Sequence, residues 1–152
     1  MLGLDRLLEV CASPMWAQQV LAGGPYRDVD ALLDHADRVL AELPDAEIEA
    51  ALNGHPRIGG RADNPLSAHE QAGMADADDR VRTELAVKNR MYEDKFGYVY
   101  LVCASGRSAD ELLTILTGRL ANDPETECQV MRTELSKINR LRLRRLLPKE
   151  TP

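Results

Sequence analysis

The chain has 152 residues, with 19 Lys and Arg against 25 Asp and Glu and a formal net charge of -6. That length suits one domain in which about two thirds of the unfolded surface is buried. The acidic balance argues against nucleic acid and anionic membranes as partners, because both would be repelled. No stretch approaches the ~20 apolar residues that span a bilayer.

A short helix is expected over Leu4 to Cys11. Ser13-Pro14 then reads as an N-cap and first-turn pair, opening a helix through Trp16, Val20 and Leu21 that Gly23-Gly24-Pro25 stops. From Asp28, the residues Val29, Leu32, Leu33, Ala36, Val39, Leu40 and Leu43 recur at spacings of three and four, the pattern of an amphipathic helix. Pro44-Asp45 starts another through Ile48 and Leu52, with Gly54 placed to end it. The segment from His55 to Pro65 is too rich in Pro and Gly for a helix.

Helices are expected again over Pro65 to Met74 and Asp76 to Lys95, the latter closing at Phe96-Gly97. Tyr98 to Ala104 is aromatic and β-branched, and one strand makes no sheet, so it reads as a buried extended connector. Its backbone N–H and C=O groups must find partners elsewhere. Ser108-Ala-Asp-Glu111 is a capping box for a helix to Asn122, and Asp123-Pro124-Glu125 opens a last helix to Leu147. The expected fold is all-α, a single compact multi-helix domain over 1–152 with that one connector.

Three cysteines, Cys11, Cys103 and Cys128, lie far apart without a CxxC pair, which suggests neither a disulfide framework nor a zinc site. They read as reduced, buried structural thiols. No ligand cluster for a metal is visible. His69-Glu70 lacks the second His of a zinc-protease helix, and the glycines form neither a Walker loop nor GxGxxG.

Of the three histidines, His35 lies beside an apolar helix stripe, where a surface or structural role is commoner. His55 sits between Gly54 and Pro56 on a stiff, turn-rich backbone, which suits a group that addresses a substrate. Ser67, Glu70 and Met74 share one helix face, with Gln71 beside Ser67. That face reads equally as a capping box or as part of a site.

In the last helix, at about 100° per residue, Cys128, Met131, Leu135, Ile138 and Leu146 form one stripe with Arg142 near its middle. Arg140 and Arg144 fall on the opposite side. A guanidinium inside an apolar stripe demands an anion, because an unpaired buried charge costs several kcal/mol. The partner is either an internal acid such as Glu70 or a carboxylate or carbonyl of a bound ligand.

With His55-Pro-Arg-Ile-Gly59, Ser67-Ala-His-Glu70-Gln71-Ala-Gly73, Phe96-Gly-Tyr-Val-Tyr-Leu-Val-Cys-Ala104 and Lys137-Ile-Asn-Arg-Leu-Arg142-Leu in order, the chain resembles 2-oxo-4-hydroxy-4-carboxy-5-ureidoimidazoline (OHCU) decarboxylases. The resemblance spans nearly the whole chain. It implies that His55 transfers a proton and that Glu70 works beside it. It further implies that Pro56, the turn of Ser67, Ala68, His69 and Gln71, the backbone of Tyr100, Leu101, Val102, Cys103 and Ala104, and Arg142 bind substrate.

The implied fold is all-α, the assembly a homodimer, and the product (S)-allantoin, formed without metal or organic cofactor. Two other readings remain open on residues alone. One is a non-catalytic helical adaptor whose Arg142 pairs with an internal acid; the other is a different cofactor-free isomerase or hydrolase of purine catabolism using the same His/Glu pair. The acidic N-terminal residues Asp5 and Glu9, and a C-terminus without Ser-Lys-Leu, lead to the expectation of a cytoplasmic protein.

Overall fold

The computed structural model describes residues 3–52 and 79–146. Seven α-helices are described: α1 (Leu4–Val10), α2 (Pro14–Ala22), α3 (Val29–Glu42), α4 (Asp45–Leu52), α5 (Asp79–Phe96), α6 (Ala109–Arg119) and α7 (Pro124–Leu146). No strand occurs among the described residues, and the chain is all-α as its periodicities require. The described residues divide into two compact units, one of residues 3–52 with 136–146 and the other of residues 79–135.

In the first unit, α2 packs against α1, α3 and α4. Ser13 caps α2 by accepting from the Trp16 N–H at 3.1 Å, as the Ser-Pro pair predicts, and Pro14 occupies the first turn. A cap of this kind contributes about 1 kcal/mol. Glu47 of α4 reinforces it, accepting from Ser13 Oγ at 2.8 Å and from the Met15 N–H at 3.0 Å. Asp28 caps α3, whose Leu32, Leu33, Ala36, Val39 and Leu40 are all buried. The Trp16 indole donates to the Ala36 carbonyl at 3.3 Å, which satisfies the one polar atom of the largest buried side chain.

His35 has the structural role its stripe suggests. Its Nε2 lies 3.4 Å from the Gln19 carbonyl and its ring meets Tyr26. Gly23 makes that approach possible, since a Cβ there would stand 2.6 Å from the imidazole Nε2. On the α7 side of this unit, Ser136 donates to Asp37 at 2.7 Å, and Arg140 pairs with the same carboxylate.

In the second unit, α5 packs against α6 around Val81, Leu85, Tyr92, Tyr100, Leu112 and Leu116. α5 ends where Phe96-Gly97 predicts. Gly97 has φ 82°, which favours glycine, and its N–H bonds the Glu93 carbonyl at 2.8 Å. The Ser108/Glu111 capping box is complete.

The expected extent of α6 needs correction, because it ends at Arg119 and not at Asn122. The last residues tighten into i→i−3 bonds, Ala121 N–H to Gly118 and Asn122 N–H to Arg119, and Asp123 then takes the Thr126 N–H at 2.7 Å at the start of α7. The expected helix over Pro65 to Met74 and the start of the next at Asp76 lie outside the described residues.

Candidate active site

Tyr98 to Ala104 is neither helix nor strand, and Tyr100, Leu101, Val102 and Ala104 are buried within it. Burial without a ladder leaves its peptide groups to be satisfied by side chains. Arg119 Nη1 donates to the Leu101 carbonyl at 2.6 Å. Glu134 Oε1 accepts from the Cys103 N–H at 3.0 Å, and Arg107 Nε donates to the Cys103 carbonyl at 3.2 Å. The Ala104 carbonyl accepts from the Arg107 N–H at 3.1 Å, and the Tyr100 hydroxyl donates to the Leu112 carbonyl at 3.0 Å. A segment without secondary structure is thus fixed by two arginines, a carboxylate and a phenol.

Arg119 is itself held in place. Its Nε donates to Glu127 Oε2 at 2.8 Å, its Nη2 pairs with the same oxygen, and Glu127 has no exposed surface. The Tyr92 hydroxyl also donates to Glu127, and Asn122 Nδ2 donates to its other oxygen at 3.1 Å. The guanidinium lies 5.0 Å from the Tyr100 ring centroid and 5.7 Å from that of Tyr92. This arrangement meets the requirement that a buried charge pair be hydrogen-bonded on all sides.

Burial, followed by its hydrogen bond to Glu127, pushes the Tyr92 hydroxyl far above its ordinary range. Burial does the same for Tyr100. Both phenols therefore stay protonated and act as donors. For Arg119, burial by itself favours the neutral form, but the Glu127 hydrogen bond and the adjacent phenols reverse it and the pKa is raised.

Arg142 lies in the first unit, only 2% exposed, and its Nη1 donates to the Val10 carbonyl at 2.9 Å. The helical wheel placed it on the buried face, and Leu135, Ile138 and Leu143 of α7 are buried with it. Arg144 is exposed. The Val10 carbonyl is a neutral acceptor; Glu70, the internal acid expected as an alternative, lies outside the described residues. Cys11 is buried, whereas Cys103 and Cys128 are only half-buried, which corrects the expectation of three buried thiols. Burial raises the Cys11 thiol above its ordinary range despite the opposing charge of Arg142, so it stays a thiol.

His55, Pro56, Ser67, Ala68, His69, Glu70 and Gln71 lie outside the described residues. Among the described residues, no group of three or more His, Cys, Asp or Glu is placed to hold a metal ion. None of the described helices is long and apolar enough to cross a membrane.

Residue-level reading of the sequence missed Arg119, Glu127 and Glu134, which hold the connector. One signal was present, since three of the four Tyr and the single Phe fall between residues 92 and 100. So dense an aromatic cluster marks a local core that a neighbouring Arg can enter by stacking.

The chain matches the family model of OHCU decarboxylase over residues 4–144. It is 31% identical to the 2-oxo-4-hydroxy-4-carboxy-5-ureidoimidazoline decarboxylase of Amia calva, covering 93% of this chain and 84% of that protein. It is 28% identical to the uric acid degradation bifunctional protein TTL of Arabidopsis thaliana, covering 95% of this chain but 47% of that longer protein. Among solved structures, an OHCU decarboxylase crystallised in the presence of (S)-allantoin superposes with a TM-score of 0.85 at 28% identity, covering 95% of this chain and 98% of that one. A match across nearly the whole described chain, in sequence and in fold, places this protein in the OHCU decarboxylase family.

Proposed function

We propose that this protein decarboxylates 2-oxo-4-hydroxy-4-carboxy-5-ureidoimidazoline to (S)-allantoin in urate degradation. The observation that carries this reading is the family match over residues 4–144. The carbon that loses carbon dioxide bears a hydroxyl and neighbours a C=N bond. When the C–C bond to the carboxylate breaks, its electron pair forms a ring double bond and the imine nitrogen takes a proton. The hydroxyl then gives up its proton as its oxygen becomes a carbonyl, and the adjacent carbon gains a proton on one face.

The substrate is its own electron sink, so the protein has only to orient the carboxylate and manage protons. In this reading His55 delivers the proton and Glu70 accepts a hydrogen bond from the substrate hydroxyl or from His55. Arg142, Gln71 and backbone groups of Tyr100 to Ala104 neutralise charge on the substrate oxygens, with Pro56, Ser67, Ala68 and His69 lining the remainder. The protein acts as a homodimer in the cytoplasm.

The test is carbon dioxide release from freshly generated ureidoimidazoline, which the protein is expected to accelerate and which an adaptor or a hydrolase would leave at the spontaneous rate. Chelators are expected to leave this rate unchanged. A dialysed sample that regains activity only on addition of zinc or magnesium would overturn the cofactor-free mechanism.

Arg142→Ala is expected to lower kcat/KM about ten- to a hundredfold, the worth of a charged hydrogen bond of roughly 1.5–3 kcal/mol. Arg144→Ala, at an exposed position of the same helix, is expected to retain wild-type rates. Equal losses in the two variants would assign the effect to net charge and remove Arg142 from the site. Thermal melts of both accompany the kinetics, and an Arg142→Ala protein that does not fold identifies a structural arginine.

A further inference from the structure

Each peptide unit is planar and trans, so its C=O and its N–H point in opposite directions. Two consecutive units flank Val102. In the first, the Leu101 carbonyl is held by Arg119 at 2.6 Å, which aims the Val102 N–H away from Arg119. In the second, the Cys103 N–H is held by Glu134 at 3.0 Å, which aims the Val102 carbonyl away from Glu134. Both bonds are trans, the one cis peptide among the described residues being Gly24–Pro25. Val102 is buried, and no described residue bonds its N–H or its C=O.

We propose that Arg119 and Glu134 are positioning residues for the reaction, fixing the two peptide planes on either side of Val102 so that its N–H and C=O form one donor–acceptor edge. The proposal rests on the reading above, in which the Tyr100 to Ala104 backbone binds substrate. An edge with one donor and one acceptor on the same residue complements a group that offers a carbonyl beside an N–H. The ureido group and the ring lactam of a ureidoimidazoline are both of this kind, and a carboxylate, which only accepts, is not. The edge therefore selects the urea-like face of the ligand and leaves the carboxylate to a cation.

Arg119 reaches the connector from within a network that ties α5, α6 and α7 together, whereas Glu134 reaches it directly. The test is therefore made at Glu134, which accepts from the connector's own N–H. Glu134→Ala is expected to raise KM about tenfold, the upper range for one lost hydrogen bond, with kcat within about threefold of wild type. Glu134→Gln keeps an oxygen that accepts from the Cys103 N–H and is expected to recover most of that loss. Glu134→Met, of similar volume without an acceptor, repeats the test if the alanine variant does not fold. An unchanged KM in the folded variants, or a Gln variant as impaired as Ala, would overturn the proposal.

A second readout does not depend on turnover. In ¹⁵N-labelled protein, adding (S)-allantoin is expected to move the Val102 amide resonance in wild type and to move it far less in Glu134→Ala. No shift at Val102 in wild type overturns the inference even with turnover intact. A shift without any decarboxylation overturns the functional reading alone.

Discussion

Replacing His55 with Gln is expected to slow decarboxylation by about 10²–10⁴-fold, the usual worth of a positioned general acid–base group. Gln keeps the reach and polarity of the imidazole but cannot exchange a proton near neutral pH, so the loss reports proton transfer in particular. His55 is set between Gly54 and Pro56, a pair that breaks helices, so the far-UV circular dichroism of the helical fold is expected to persist. Rates within a few-fold of wild type would remove His55 from the mechanism and, with it, the role assigned to Glu70.

Removing the carboxylate under Arg119 is expected to have the largest effect on stability. Glu127→Ala leaves a buried guanidinium without its anion and Tyr92 and Asn122 without their acceptor. Breaking one side of a buried ion pair costs about 3–5 kcal/mol. For a chain of this length that corresponds to a fall in Tm on the order of 10 °C. A double variant, Arg119→Met with Glu127→Leu, is expected to recover much of that loss, because no uncompensated charge remains. A single-variant melt within about 2 °C of wild type would show that the network does not carry the load its burial implies.

Local rules located the caps at Ser13 and Ser108 and the stop at Gly97, because each depends on a few adjacent residues. Arg142 was legible as buried because it interrupts an apolar stripe on a helix long enough to define its faces. The end of α6 was not. Nothing between Gly118 and Asp123 breaks a helix strongly, and the tightened turn there adjoins Arg119, whose side chain is tied to the Leu101 carbonyl far from it in sequence.

Arg119, Glu127 and Glu134 were illegible for a related reason. Charged residues spaced along helices look like a solvated face, whereas in the fold Arg119 packs against Tyr92 and Tyr100 and pairs with Glu127, and Glu134 accepts from the Cys103 N–H. The connector was legible as a segment needing foreign hydrogen-bond partners, although which side chains would supply them was not. The roles proposed for His55 and Glu70 rest on the resemblance, since residues alone left the Ser67 and Glu70 face equally open to a capping box or a site.

The account is tested most directly by following circular dichroism at an allantoin band after mixing the protein with freshly generated ureidoimidazoline. An optical signal of (S)-allantoin that grows with enzyme concentration, in step with carbon dioxide release and far ahead of the spontaneous reaction, is the predicted result. Racemic allantoin appearing at the uncatalysed rate would contradict it.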